Sequence, residues 1–185
     1  MINIATSHTS ELYLSQTELE AGLESIRQSP KNNGTLESIV IRPQADERLI
    51  LDVCELSPTF GVHGDDWSRR GTPHPKAQIT LMNSRLLSLI AGAEERWALA
   101  GDQLIVDFDL SEDNLGPGER LAIGTVILEI TDKPHRGCAK FAGRFGADAL
   151  KFVNSEVGRH LRLRGIYAAV VQVCEVRVSD SIIKC

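Results

Sequence analysis

Short β-prone segments, each cut off by turn-forming residues, narrow the folding options of this chain more than any other feature. Residues 36–42, 48–56, 78–82, 103–110, 120–131 and 166–178 are rich in Val, Ile and Leu. Branched side chains favour extended backbone, where they pack well on a pleated surface. Between these segments lie Lys31-Asn32-Asn33-Gly34, residues 43–47 and Asn114-Leu115-Gly116-Pro117-Gly118, which supply turn dihedrals. Segments 36–42 and 48–56, joined by a short polar connection, predict a hairpin. Within 103–110, Leu104, Val106 and Phe108 alternate with Ile105, Asp107 and Asp109, so one face is expected to be buried.

Helical periodicity appears only in the gaps. Over residues 15–28, Leu19, Leu23 and Ile26 share one face, Ser15 and Glu18 have capping-box spacing, and Pro30 follows the end. A short helix is expected over 84–91, and residues 139–164 are helical in character. Strands grouped with short helices, without regular βαβ alternation, predict a mostly-β or α+β domain that closes into a barrel. A length of 185 residues suits one such domain, read here as a helical segment over 1–30 and a barrel over 31–185. Residues 57–75, crowded with Pro and Gly, are too long for a simple turn and form a candidate functional loop.

A net charge of -5 disfavours nonspecific attraction to nucleic acid. The Met1-Ile2-Asn3-Ile4-Ala5-Thr6 start has no basic residue, and no apolar run could span a bilayer. A cytoplasmic chain with no nucleic-acid or membrane partner is therefore expected. Cys54, Cys138, Cys174 and Cys185 lack CxxC spacing, which argues for reduced thiols and against a zinc knuckle or redox pair. There is no GxGxxG, Walker A, HExxH or GxSxG motif, and no two histidines stand four apart. His63 with Asp65 and Asp66 could hold a cation, but Gly61 and Gly64 around them favour a capped turn.

One segment carries chemistry: Lys133-Pro134-His135-Arg136-Gly137-Cys138-Ala139-Lys140-Phe141. Its thiol follows a Pro/Gly turn, precedes an expected helix and has cationic neighbours on both sides. Helix N-terminal amides and nearby cations stabilise negative sulfur, as a nucleophilic, persulfide-forming or metal-ligating cysteine requires. The alternative is an inert buried cysteine, the reading that suits Cys54 and Cys174 within their apolar strands. Arg136, Lys140, Arg144, Arg162 and Arg164 cluster nearby in an otherwise acidic chain, with Asn154 as a further donor. They read either as an anion site gripped by guanidinium forks or as a solvated basic helix face.

The order of motifs resembles the MOSC family, named for the C-terminal domain of molybdenum-cofactor sulfurases and found also as short stand-alone bacterial proteins. Over roughly residues 50–180 the resemblance is carried by Gly61-Val62-His63-Gly64-Asp65, Gln78-Ile79-Thr80-Leu81-Met82-Asn83, Ala100-Gly101-Asp102 and Arg120-Leu121-Ala122-Ile123-Gly124. Cys138-Ala139-Lys140-Phe141, Arg144-Phe145-Gly146-Ala147-Asp148 and Arg164-Gly165-Ile166-Tyr167-Ala168 continue it. The chain departs from many relatives in having Gly137 rather than proline before the cysteine. The resemblance implies a β-barrel like that of pyruvate kinase, with short peripheral helices. It also implies a molybdenum cofactor (molybdopterin) whose metal takes Cys138 as ligand and whose phosphate meets Arg136, Lys140, Arg144, Arg162, Arg164 and Asn154. An oxidoreductase acting on small N-hydroxylated compounds with an electron-transfer partner would follow. The alternative it implies is a noncatalytic sulfur carrier, with persulfide on Cys138 supplied by a sulfur-donor protein, or a cofactor-handling module. No pyridoxal phosphate lysine site is expected in this chain.

Overall fold

A computed structural model describes residues 13–185; the reading of the Met1 to Thr6 start lies outside them. Two short helices, α1 (Gln16–Ala21) and α2 (Leu23–Arg27), replace the single helix expected over 15–28. The break falls at Gly22, where a Cβ would come within 2.5 Å of Leu89. Glu18 accepts hydrogen bonds from the Ser15 N–H and hydroxyl at 2.8 and 2.6 Å, tying down the start of α1.

The first strands are β1 (Gly34–Ile41), β2 (Leu49–Leu51), β3 (Val53–Ser57) and β4 (Gly61–Val62). The predicted hairpin forms, with β1 antiparallel to β2 from Ile39↔Leu51 to Ile41↔Leu49. Segment 48–56 is nevertheless not one strand: it divides at Asp52, β2 staying with β1 while β3 joins a second sheet. Next come β5 (Ile79–Asn83), α3 (Ser84–Ala91), β6 (Leu104–Asp107), β7 (Arg120–Ile123) and β8 (Val126–Ile130). Helix α3 occupies the expected residues, its start capped by Asn83 Oδ1, which accepts from Leu86 N–H at 3.0 Å. Residues 139–164 hold three helices, α4 (Ala139–Phe145), α5 (Ala147–Asn154) and α6 (Glu156–His160). Gly146 separates α4 from α5 at φ 92°, where an L side chain is strained. The chain ends with β9 (Ile166–Gln172), β10 (Cys174–Arg177) and β11 (Ser181–Lys184).

Seven strands close in the order β11-β7-β8-β9-β5-β6-β1 and back to β11, with β2 appended to β1. Closure removes exposed edges, which is the physical advantage of a barrel over an open sheet. All the pairings are antiparallel except β5 with β6, which are parallel and connected through α3. The second sheet, β10-β3-β4, lies against this frame.

Two apolar clusters divide the interior. One fills the barrel and includes Leu36, Leu56, Leu81, Leu104, Phe108, Leu128 and Ile182. The other packs the helices on the outer barrel wall through Leu19, Met82, Leu87, Ile105, Phe141 and Phe152. Strand β6 belongs to both, since Leu104 and Val106 face inward while Ile105 faces the helices, so its expected polar face is buried at Ile105. No described helix is long and apolar enough to cross a membrane.

Candidate functional site

The loop leaving β8 carries Cys138 to the first turn of α4. Asn154 on α5 clamps that loop from both sides: its Oδ1 accepts from Gly137 N–H at 3.0 Å and its Nδ2 donates to Gly137 O at 3.1 Å. Gly137 permits the close approach, because a Cβ there would lie 2.7 Å from Leu150. Cys138 is exposed and extended at φ -129°, ψ 178°, capping α4. The backbone N–H of Phe141 beside the sulfur, with that of Lys140 and the Arg164 and Arg144 charges, lowers the thiol pKa against the opposing effect of burial.

Around this sulfur stands an array of cations, two of them held by buried acids. Arg42, just beyond β1, forms a two-pronged pair with Asp65, Nε to Oδ2 at 2.9 Å and Nη2 to Oδ1 at 3.0 Å, and donates from Nη1 to Gly101 O at 2.9 Å. Asp65 is fully enclosed; burial opposes its charge, but the hydrogen bonds from Arg42 hold its carboxyl below the usual carboxylate range. Arg164 pairs with buried Asp102 at 2.7 Å and lies 5.1 Å over the Phe141 ring. Arg144 donates to Leu99 O at 2.7 Å. Burial, and then repulsion from Arg144 and Arg42, lowers the pKa of Arg48, whose buried Nε has no partner among the described residues. Cys138 opens into a cleft of about 410 Å³ whose wall bears Arg42, Arg48, Arg70, Lys140, Arg144 and Arg164 against Asp46 and Asp66.

A second lobe of about 240 Å³ shares Arg42, Arg70, Gly101 and Arg164 with the first and is lined by Trp67, His74, His135 and Tyr167. His135 packs on Tyr167 with ring centroids 4.4 Å apart. Burial, reinforced by Arg164, pushes its pKa down to about 4, although Asp102 opposes the shift. The ring is thus neutral near pH 7. Trp67, Arg70 and His74 come from the long loop flagged between 57 and 75. At its start Gly61 and Gly64 have positive φ, and Asp65 Oδ1 accepts from Trp67 N–H at 3.0 Å, which is the capped-turn arrangement. Among the described residues no three His, Cys, Asp or Glu side chains converge as a metal cage.

The sequence candidates divide between two places. Cys138, Lys140, Arg144 and Arg164 line the cleft at the thiol. Arg136 and Arg162 do not; they line a separate cleft beyond His135 and Arg164. Asn154 is spent on the Gly137 clamp. Sequence reasoning named none of Arg42, Arg48, Arg70, Trp67 and Tyr167 as site residues, although Trp67 and Arg70 lie in the candidate loop and Tyr167 in a motif of the resemblance; all five come from segments far from Cys138 in the chain. Of the acids that hold Arg164 and Arg42, Asp102 stood in the Ala100-Gly101-Asp102 motif of the resemblance, and Asp65 stood both in a motif and in the His63, Asp65 and Asp66 turn.

A closed β-barrel with helices along one wall, bearing a lone thiol at the mouth of an arginine-lined cleft, defines the class. The MOSC domain model matches residues 68–183, and the chain belongs to that family, which is associated with the molybdenum cofactor. No curated protein matches the chain in sequence. Among solved structures it is similar to the YuaD protein from Bacillus subtilis, with 17% identity, TM-score 0.54, and coverage of 81% of this chain and 94% of that one. YiiM from Geobacillus stearothermophilus shares 15% identity at TM-score 0.54 over 82% of this chain and 75% of that one. YiiM from Escherichia coli shares 17% at TM-score 0.53 over 82% and 69%. At such identities the likeness speaks for the fold, in agreement with the barrel expected from the sequence.

Proposed function

We propose that this chain binds a pterin-based molybdenum cofactor in the two-lobed cleft, with the Cys138 thiolate as the protein's ligand to the metal. The observation that carries this reading is the cleft itself: a thiol biased toward thiolate opens among six cationic side chains, and the same cleft continues into an aromatic lobe. A single soft donor without a surrounding cage does not hold a bare metal ion, but it suits a metal that arrives with organic ligands of its own. Such a cofactor would present a phosphate and a flat pterin to the chain besides its metal. Arg48, Lys140 and Arg144, beside the thiol, would hold the phosphate; Trp67, His135 and Tyr167 would flank the pterin.

When bound, the cofactor supplies two-electron oxygen-atom transfer; orientation and electrostatics come from the chain. Asp65 and Asp102 fix Arg42 and Arg164 between the two lobes, so their guanidinium groups meet the ligand preorganised. Neutral His135 lines the aromatic lobe without adding charge. The reaction this reading favours is reduction of small N-hydroxylated compounds, with electrons from a partner protein. The exposure of Cys138 favours one further reading, a sulfur carrier with persulfide on that thiol.

The test is anaerobic purification from a host that makes the cofactor, with molybdenum and pterin quantified per chain for wild type and Cys138→Ser. Near-stoichiometric molybdenum that falls sharply in the mutant supports the cofactor reading. Molybdenum absent from both overturns it, and persulfide detected on Cys138 by mass spectrometry would then support the carrier.

A further inference from the structure

We infer that the separate cleft beyond His135 and Arg164 is a second ligand site, built for a small organic phosphate and distinct from the cleft at Cys138. It has a volume of about 480 Å³ and draws its wall from the loop after β8, from α6 and from the turn before β9. Five cationic side chains line it: Lys133, Arg136, Arg159, Arg162 and Arg164. Of the two acids in the same wall, one is paired with a lysine outside the cleft and the other leaves the cations in excess, five to one. Asp132 holds Lys76 at 2.8 Å, and Glu112 lies 3.7 Å from His160 Nδ1.

Two of these arginines are aimed without being neutralised. Arg159 donates to Asn154 O at 2.9 Å and Arg162 to Leu115 O at 2.6 Å, contacts to backbone carbonyls that fix direction but leave the positive charge available. Arg162 is half-buried, and burial lowers its pKa despite the Glu112 and Glu119 charges, so its charge is held at a cost that a bound anion would relieve. It also adopts φ 49°, a backbone conformation that non-glycine residues rarely take. Arg164, which this cleft shares with the thiol cleft and the aromatic lobe, is about nine-tenths buried, and its Nε has no partner among the described residues. An unpaired buried donor costs free energy that a ligand acceptor would return.

The rest of the wall decides what kind of anion fits. Pro117, Pro134, Val153 and Ile166 add an apolar side, and the volume far exceeds what a free phosphate fills. Guanidinium forks match phosphate oxygens in pairs, and the apolar side suits a carbon skeleton attached to them. The ligand class is therefore a phosphate monoester of a small organic molecule. Arg164 and His135 line both this cleft and the aromatic lobe at Cys138, so a phosphate ester here would lie against the same side chains that flank the cofactor cleft.

Isothermal titration calorimetry on the full chain carrying Cys138→Ser tests the site separately from any cofactor, with inorganic phosphate and adenosine monophosphate as probes. The expected result is that the ester binds at least about tenfold more tightly than inorganic phosphate. Arg136→Ala, an exposed position whose loss should leave the thermal unfolding temperature unchanged, weakens the ester about tenfold, whereas Arg144→Ala in the other cleft leaves it unaltered. Equal affinity for ester and inorganic phosphate overturns the ester assignment. No heat from either probe at millimolar concentration overturns the site, as does binding that Arg144→Ala abolishes and Arg136→Ala leaves intact.

Discussion

Replacing Asp65 by Ala isolates what holds the cleft open. The carboxylate is fully buried while Arg42 is 14% exposed, and Asp65 accepts from Arg42 Nε, Nη2 and backbone N–H and from Trp67 N–H at 2.9 to 3.0 Å. The mutation leaves a largely buried guanidinium without its counter-charge, a situation that costs about 3–5 kcal/mol. That is a large part of the roughly 5–15 kcal/mol that stabilises a typical domain. For a chain of this size each kcal/mol moves the unfolding midpoint by about 2–4 °C, so Tm should fall by roughly 6–20 °C. Urea denaturation with linear extrapolation measures the loss, with Glu129→Ala as the control. Its partner Arg120 is 49% exposed, and that surface pair should cost less than about 1 kcal/mol. Arg42→Met combined with Asp65→Ala removes both charges and should recover part of the stability. A loss for Asp65→Ala no greater than the control would refute the account of Arg42 as a charge fixed by burial and pairing.

Three further outcomes follow from the same structure. Alkylation of Cys138 followed by peptide mass spectrometry should show a pH midpoint below the ordinary cysteine value of about 8.5, because backbone N–H groups at sulfur and the neighbouring arginines favour thiolate; Arg144→Ala should move it upward, and a midpoint at or above the ordinary value would contradict this. His135, with a folded pKa of about 4 against about 6.5 when unfolded, binds its proton better in the unfolded chain. Its contribution is therefore complete above about pH 6.5 and is lost as the pH falls toward 4, in total about 3 kcal/mol; the difference in unfolding free energy between wild type and His135→Gln should shrink over that window, and parallel pH curves would exclude it. Truncation after Asp180 removes β11 and its buried Ile182, unpairing one edge of β7 and the start of β1. It should cost at least about 4 kcal/mol or abolish cooperative unfolding, and a two-state transition of wild-type midpoint would show that closure contributes little.

Much of the local structure is legible in the sequence because it depends on neighbours within a few residues. Asn83 before an apolar-periodic run marks the start of α3, and the polar link over 43–47 between two β-prone runs marks the β1–β2 hairpin. The helical character before residue 164 and the thiol at the head of α4 are local in the same sense. Cys138, Lys140 and Arg144 are legible as a group because one short helix, α4 with the residue that starts it, carries them all. The departures are equally informative. Residues 181–184, Ser-Ile-Ile-Lys, carry too few residues to announce a strand, yet as β11 they pair with Gly34 and Thr35 at the other end of the chain and close the barrel. Asp52 divides one β-prone run between two sheets because residues on either side of it find different partners, Ile39 for Leu51 and Arg177 for Val53. Arg42 and Arg164 lie far apart in sequence, and Arg136 lies only two residues from Cys138, yet the first two share its cleft and the third faces another. Propensity, capping and periodicity act over one or two turns of chain and so are written in local sequence. Barrel closure, and the choice of which buried carboxylate holds which guanidinium, depend on packing between distant segments, whose energies exist only once the chain has folded.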